Sequence, residues 1–263
     1  MLLNRLLLVF IFYGVTFTSV YAVEHSFAQQ YKETFAHFID TSLTGKGRES
    51  FEAMVKEVEN NIQWHDQKAK NKYLDAYERS LPFMMKLGRD DVPKIVFLIP
   101  YLESTWQGKK GNPASDYGYW QMVPEVINEI RQLDEASDRL MQADANTARA
   151  DIELSTEAAL IHLYRYYFYF RHVAGFAEED AWLFSMIAFN WGAGNIKATI
   201  ATMKKKGKTV TFSSFYHYLY TLNKMKKGKS KTEAQSSRVA LEYLPNLWNI
   251  MLLIQQRSKL AKK

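Results

Sequence analysis

The sequence predicts an all-α protein. Apolar residues recur at intervals of three and four along most segments, which is the spacing of one face of a helix. Only 6 prolines and 12 glycines interrupt the 263 residues, so helices of several turns are expected. With 47% hydrophobic and 14% aromatic residues, the chain has enough apolar side chains to form one sizeable core.

Residues 1–22 have the layout of a secretory signal peptide. Arg5 precedes the apolar run 6–12, and Val20-Tyr21-Ala22 forms a small-residue cleavage site. Gly14 and three hydroxyl residues interrupt the apolar stretch, which makes it a poor match to the ~20 apolar residues of a permanent membrane span. We therefore predict cleavage after Ala22 and export to the periplasm or cell envelope, with an uncleaved anchor as the alternative.

Three helices are predicted between the signal peptide and residue 90. The first covers residues 26–40, where Phe27, Tyr31 and Phe35 begin an apolar stripe that stops before the turn at 44–47. The second covers about 49–63 and the third about 68–87, closed by a glycine. This N-terminal helical region, residues 23–90, carries no motif of its own, so it is expected to brace the rest of the chain or to contact a partner.

Residues 92–104 differ in kind, because they are apolar on every side. Pro93 suits a first helical turn, and the continuous apolar run predicts a buried central helix. Pro100 is expected to kink that helix. The stretch 105–119 holds three glycines and a proline, which predicts a loop with a short irregular hairpin.

Helical spacing resumes after this loop and continues almost to the end of the chain. The predicted helices cover about 124–132, 154–171, 178–189, 193–206, 212–222 and 236–258.

The charge balance is basic, with 34 Lys+Arg against 28 Asp+Glu, or +6. Loss of Arg5 with the signal peptide leaves 33 against 28, or +5. A basic protein favours polyanionic partners, and export argues against nucleic acid among them. Two lysine clusters, at 204–208 and 224–231, are interpreted as solvated surface, with contact to a membrane surface or an envelope protein as the alternative. Oligomeric state is not predicted.

Several chemistries find no support in the sequence. There is no cysteine, so a lipoprotein anchor, disulfides and thiolate metal sites are excluded. The six histidines show no metal-ligand spacing, and no phosphate-binding glycine loop or Gly-x-Ser-x-Gly turn occurs. We expect no metal and no cofactor.

Glu103 lies at the end of the predicted buried helix. Burial disfavours the charged form of a carboxyl group, so its pKa should rise. A carboxylic acid that stays protonated near neutral pH can donate a proton to a glycosidic oxygen. The alternative for this residue alone is a helix end in water, so the interpretation depends on its neighbours in sequence.

Three motifs accompany this residue in order: Glu103-Ser104, then Gly118-x-x-Gln121-x-x-Pro124, then Ala188-Phe189-Asn190-Trp191-Gly192. With these motifs the sequence resembles the catalytic domain of the soluble lytic transglycosylase family, and within it the membrane-bound lytic murein transglycosylase D group. Segments 155–160 and 242–245 extend the resemblance, which covers roughly residues 92–255.

The resemblance implies a lysozyme-like fold in residues 91–258, followed by a basic tail at 259–263. It also implies a substrate, the peptidoglycan glycan strand, cut at the β-1,4 bond between N-acetylmuramic acid and N-acetylglucosamine. Glu103 would protonate this bond while the muramic acetamide stabilises the anomeric centre. Glu103 would then deprotonate the C6 hydroxyl, which closes a 1,6-anhydro ring without water.

The same resemblance implies a set of substrate-binding residues. Tyr243 is expected near Glu103 across a cleft, with Asn190 and Gln121 binding polar groups of the sugar. Gly118, which has no Cβ, would let the substrate approach closely. The rest of the expected set is Ser104, Tyr119, Trp120 and Met122. Helix capping is the alternative for Ser104, and a place in the core is the alternative for Trp120.

The sequence departs from the family pattern at several positions: Asn112, Ser115, Gln107-Gly108, Phe189 and Trp191. Phe189 lacks a hydroxyl that the family usually has there. Two other functions therefore stay open: a hydrolytic lysozyme that uses Asp116, and a module that binds glycan or helps to assemble the envelope without cutting. Retention of an acid at the end of a buried helix favours an enzyme.

Overall fold

The computed structural model describes residues 27–87, 91–225 and 231–260. The predicted signal peptide, and residues 261–263 of the predicted basic tail, lie outside the described residues. Within the described ranges the chain is almost entirely helical, which confirms the all-α prediction. No helix among them is both long enough and apolar enough to cross a membrane.

Four helices precede residue 90 in the described part of the chain: α1 (27–42), α2 (Gly45–Glu59), α3 (Ile62–His65) and α4 (Gln67–Leu87). The central segment is a 3₁₀ helix at Lys94–Leu98 followed by α5 (Ile99–Glu103). Next come α6 (Pro124–Ile130), α7 (Asp138–Gln142), α8 (Ala145–Ala150) and α9 (Ile152–Phe168), which passes into a π-helix at Tyr169–Val173. The last helices are α10 (Glu178–Trp191), α11 (Ala193–Lys205), α12 (Phe212–Met225) and α13 (Lys231–Leu260).

The central segment is as buried as predicted, but its geometry differs. Residues Ile95–Ile99 are at most 1% exposed. The predicted kink at Pro100 was wrong, because α5 begins only at Ile99 and the proline occupies its first turn. A proline there removes no helical hydrogen bond, since the N–H groups of a first turn have no partner within the helix.

Helix α10 forms the centre of the fold. Every residue from Asp180 to Ala188 is buried, and the helix packs against α9, α11 and α13. Gly192, with φ of +83°, ends it, a backbone angle that glycine adopts without strain. This end of α10 carries Asn190 toward the segment that holds Glu103.

The N-terminal helices pack on the C-terminal ones. Helix α2 lies against α12 and α13, and α4 lies against α13 and α5. A partly buried ionic group joins these elements, in which Glu57 of α2 pairs with Lys224 at 2.9 Å and with Arg238 at 2.8 Å. The boundary predicted at residue 90 stays a prediction, and the helices on its two sides are in contact.

The loop between α5 and α6 contains only isolated pairing. Gly111 bridges to Tyr117 and Tyr117 to Met122, both antiparallel, and no longer strand occurs in the described residues. The expected irregular hairpin is therefore reduced to these two bridges. The short helices α7 and α8 were not predicted from the sequence.

Candidate active site

Glu103 is the last residue of α5, and two other helices reach it from distant parts of the chain. The hydroxyl of Tyr243, on α13, donates a hydrogen bond of 2.9 Å to its Oε1 atom. The side chain of Asn190, near the end of α10, also hydrogen-bonds this carboxyl group. The structure therefore brings together three of the residues predicted from the sequence.

The environment of Glu103 raises the pKa of its carboxyl group to about 7. Burial has the largest effect, because it disfavours the carboxylate. The hydrogen bonds from Tyr243 and Asn190 lower the pKa, and the negative charge of Asp116 raises it. Near neutral pH the group is thus divided between acid and carboxylate, which suits it to donate a proton and then to accept one.

Tyr243 is placed to act as a neutral donor. Its side chain is 3% exposed, and burial together with the neighbouring Glu103 holds the pKa of its phenol well above the usual value. The phenol therefore keeps its proton, and its hydrogen bond stabilises the carboxylate form of Glu103.

Ser104 follows Glu103, but its hydroxyl is directed into the protein. The residue is 1% exposed, and its hydroxyl donates to the carbonyl of Tyr119 at 2.6 Å. It also accepts from the backbone N–H of Gln107 at 3.2 Å. The structure therefore shows Ser104 holding the turn after α5, in line with the capping alternative.

The backbone around Glu103 is strained. Thr105 and Trp106 have φ of +53° and +51°, and Gln121 has φ of +50°, values that residues other than glycine seldom adopt. The guanidinium group of Arg79, on α4, donates to the carbonyl of Thr105 at 3.0 Å. Strained residues persist where their surroundings fix them, and such residues often lie at functional sites.

Gln121 and Gly118 shape the loop itself. The side-chain nitrogen of Gln121, Nε2, donates to the carbonyl of Lys110 at 2.9 Å and to that of Gly118 at 2.7 Å. Gly118 has φ of +85°, and a Cβ atom at this position would overlap the carbonyl of Arg149. The missing Cβ of Gly118 therefore lets the backbone of α8 approach the loop, where a substrate was predicted. The side-chain N–H groups of Gln121 bind carbonyls of the loop instead of a sugar.

Trp120 belongs to the core. It is 1% exposed, and its indole nitrogen donates to Thr156 at 3.0 Å. Its ring packs edge-on against Phe97, Trp106 and Phe189. An indole enclosed in this way offers no face to a sugar, so the structure favours the core alternative for this residue.

The other two loop residues predicted to line a cleft differ in exposure. Tyr119 is half-buried, so part of its side chain faces solvent. The centroid of its ring lies 6.2 Å from that of Trp106. Met122 is 5% exposed, and its carbonyl accepts from Arg149 at 2.9 Å. Of this pair, Tyr119 is the one with surface available to a ligand.

Arg149 was not predicted from the sequence. The residue is 1% exposed and lies against the loop at 113–122. Its only signal in the sequence is an arginine placed between Ala148 and Ala150 on a helix of small residues.

Within the described residues, no group of three histidine or acidic side chains is arranged to hold a metal ion.

A family profile described as "Transglycosylase SLT domain" matches residues 81–212. The chain is 28% identical over 156 residues to the membrane-bound lytic murein transglycosylase D of Escherichia coli K12, and equally to that of Escherichia coli O6:H1. In both cases the match covers 55% of this chain and 31% of the relative. The chain therefore spans less than a third of the length of these relatives.

Proposed function

Because the chain belongs to the transglycosylase SLT domain family, we propose that it is a lytic transglycosylase that cleaves peptidoglycan glycan strands with Glu103 as its single acid and base. The observation that carries this proposal is the partly buried carboxyl group of Glu103, whose pKa is about 7 and which has two neutral hydrogen-bonding partners. Burial favours its acid form and the partners favour its carboxylate form, so both forms are accessible in one catalytic cycle.

In the first step, protonated Glu103 gives its proton to the oxygen between N-acetylmuramic acid and N-acetylglucosamine. As the bond breaks, the carbonyl oxygen of the muramic acetamide attacks the anomeric carbon, in the manner of substrate-assisted glycosidases. Glu103 is now a carboxylate, and the Tyr243 hydroxyl, 2.9 Å from its Oε1, stabilises this charge. No second carboxylate is needed as a nucleophile.

In the second step, the Glu103 carboxylate removes the proton of the muramic C6 hydroxyl. The C6 oxygen attacks the anomeric carbon and displaces the acetamide oxygen, which closes the 1,6-anhydro ring. The proton taken from C6 restores the acid form of Glu103, so the cycle consumes no water. Asn190, which contacts the carboxyl group and is exposed, is in a position to bind the sugar as well.

Mass spectrometry of soluble products tests this proposal. Purified protein, Glu103→Gln and a control variant of the exposed Glu135, Glu135→Gln, are each incubated with peptidoglycan. We expect fragments that end in 1,6-anhydro-muramic acid from the wild type and from Glu135→Gln, and none from Glu103→Gln. Absence of products from all three proteins, with the wall still bound, would leave a binding module instead.

One observation favours a hydrolytic alternative. Asp116 lies close enough to Glu103 for its charge to raise the pKa of that carboxyl group, and it is exposed on the loop. A second carboxylate near Glu103 could activate a water molecule. Reducing-end products that disappear in Asp116→Asn would establish this reaction in place of the transglycosylase one.

Export to the periplasm or cell envelope is part of the proposal, since the substrate lies outside the inner membrane. It is supported by the layout of residues 1–22. Fractionation of cells that express the full chain, with the mass of the mature protein, tests it. A protein that begins at Val23 in the envelope fraction is expected, and an intact chain in the cytoplasm would contradict it.

A further inference from the structure

Arg149 is a buried cation whose hydrogen bonds all go to neutral oxygen atoms. Its side chain is 1% exposed, and its guanidinium group donates five hydrogen bonds, as many as it has N–H groups. The acceptors are the carbonyls of Pro113 (2.5 Å), Ser115 (2.6 Å), Met122 (2.9 Å) and Ala145 (3.0 Å), and the Oδ1 atom of Asn146 (2.6 Å).

Three of these acceptors belong to one loop. Pro113, Ser115 and Met122 lie at its two ends, so a single planar group joins both ends of residues 113–122. The backbone of Arg149 adds to this, since its carbonyl accepts from the N–H of Tyr119 at 3.2 Å. Arg149 thus fixes the loop at its ends and near its middle.

A buried charge is costly unless its hydrogen bonds are satisfied. Lysine could not replace this group, because its donors radiate from a single nitrogen atom whereas the guanidinium group donates in several directions within a plane. An apolar side chain would remove the donors that join the three loop carbonyls to α8. The arrangement therefore depends on arginine in particular.

The loop is coupled to the turn that holds Glu103. Its Tyr119 carbonyl accepts the 2.6 Å hydrogen bond from Ser104, the residue that directly follows Glu103. The loop also carries Asp116, whose charge acts on the Glu103 carboxyl group. A shift of residues 113–122 would thus be transmitted to the end of α5.

We infer that Arg149 is a positioning residue for the reaction: it holds the loop 113–122 in the conformation that aligns Glu103 with the glycan strand. This inference rests on the proposed function. It assigns to Arg149 no contact with the substrate.

The test replaces Arg149 by alanine and by lysine and measures the release of 1,6-anhydro products. Loss of alignment at a reacting centre lowers the rate by about a hundredfold, and we expect a loss of this size in kcat/KM, mostly in kcat, for both variants. Arg131 provides a matched control, because its guanidinium group also donates to carbonyls, those of Leu140 and Met141, without any bond to residues 113–122. Arg131→Ala should retain wild-type activity.

Rescue separates positioning from general loss of structure. Millimolar guanidinium can occupy the space left by Arg149→Ala, and we expect it to restore at least a tenth of the wild-type kcat. The wild type and Arg131→Ala should show no gain in the same solution. Circular dichroism and the thermal midpoint show whether each variant is folded. If Arg149→Ala does not fold, Arg149→Lys, which keeps the charge, takes its place. Wild-type activity in folded Arg149→Lys would overturn the inference.

Binding to insoluble peptidoglycan, measured in a Glu103→Gln background, gives a readout that does not require cleavage. Because the expected loss lies mostly in kcat, adding Arg149→Ala should weaken this binding much less than it lowers kcat, and guanidinium should restore the binding. A wild type without products, but with binding that Arg149→Ala weakens and guanidinium restores, would refute the proposed function and would leave Arg149 as a residue that positions the loop for binding alone. Products from the wild type and equally from Arg149→Ala would overturn that role and leave the proposed function intact.

Discussion

Replacing Glu103 by glutamine should make the folded protein more stable at high pH. The pKa of this carboxyl group is about 7 in the folded protein and 4.5 in an unfolded chain. Below pH 4.5 the group is protonated in both states and has no effect. Between the two values the unfolded chain loses the proton while the folded protein keeps it, so stability falls as pH rises and levels off above pH 7.

The size of the effect follows from the difference between the two pKa values, 7 minus 4.5, or 2.5 units. At 1.36 kcal/mol per unit, ionisation of Glu103 costs the folded protein about 3 kcal/mol above pH 7. Glutamine has nearly the same shape, keeps an oxygen that can accept from Tyr243, and does not ionise. We therefore expect Glu103→Gln to gain about 3 kcal/mol over the wild type at pH 8 and almost nothing at pH 4.5.

Urea unfolding of both proteins at several pH values between 4 and 8.5 measures this gain. The control is Glu153→Gln, which replaces a half-exposed glutamate whose pKa is lowered to about 2 by Lys86 and Arg139. Because the shift has the opposite sign, this variant should show no gain at high pH. A stability difference between wild type and Glu103→Gln that is the same at pH 4.5 and pH 8 would refute the reasoning.

Three further predictions concern the surroundings of the site. Tyr243→Phe removes a donor that stabilises the Glu103 carboxylate, so the pKa of Glu103 should rise. Since a hydrogen bond to a charged group contributes about 1.5 kcal/mol, the alkaline limb of the pH–activity profile should move up by about one pH unit. Tyr216→Phe, which removes another buried hydroxyl bonded to α13, should leave that limb in place. Trp120→Ala should destabilise the fold by about 3–5 kcal/mol in urea unfolding, as expected for a core indole rather than a sugar platform. Burial lowers the pKa of His162 to about 4, so between pH 6.5 and 4 the unfolded chain binds a proton that the folded protein does not, and stability falls as pH falls. His162→Phe should therefore reduce the decrease of the thermal midpoint in acid.

Much of the fold was predictable because it depends on local pattern. The apolar run before Glu103 predicted a buried segment, and the periodic segments from residue 152 onward predicted α9 to α12 close to their observed bounds. Helices α7 and α8 have only 5 and 6 residues, too few for a periodic pattern to be recognised. Their N-caps, Ser137 and Asp144, were the readable signal, since both accept from backbone N–H groups of the following turn.

The sequence predicted which residues lie near the candidate site better than it predicted where their side chains point. The expected proximity of Tyr243 to Glu103 came from resemblance alone, because no local pattern relates residues 140 positions apart. Ser104 and Trp120 were placed in the correct neighbourhood, yet a motif does not determine whether a side chain faces the cleft or the core. Arg149 could not be identified beforehand, because its role arises from carbonyls that only the folded loop brings together.

The separation of the site residues along the chain also affects when activity can arise. Tyr243 meets Glu103 only after α13 has packed, and α13 follows the other described helices along the chain. Contacts of such long sequence separation form late, since closing a long loop is entropically unfavourable. An emerging or partly unfolded chain therefore holds its glutamate in water, as an ordinary carboxylate without the proton that cleavage needs. For a protein proposed to cut the cell's own wall, the order of folding would itself delay the cutting until α13 has been made and packed.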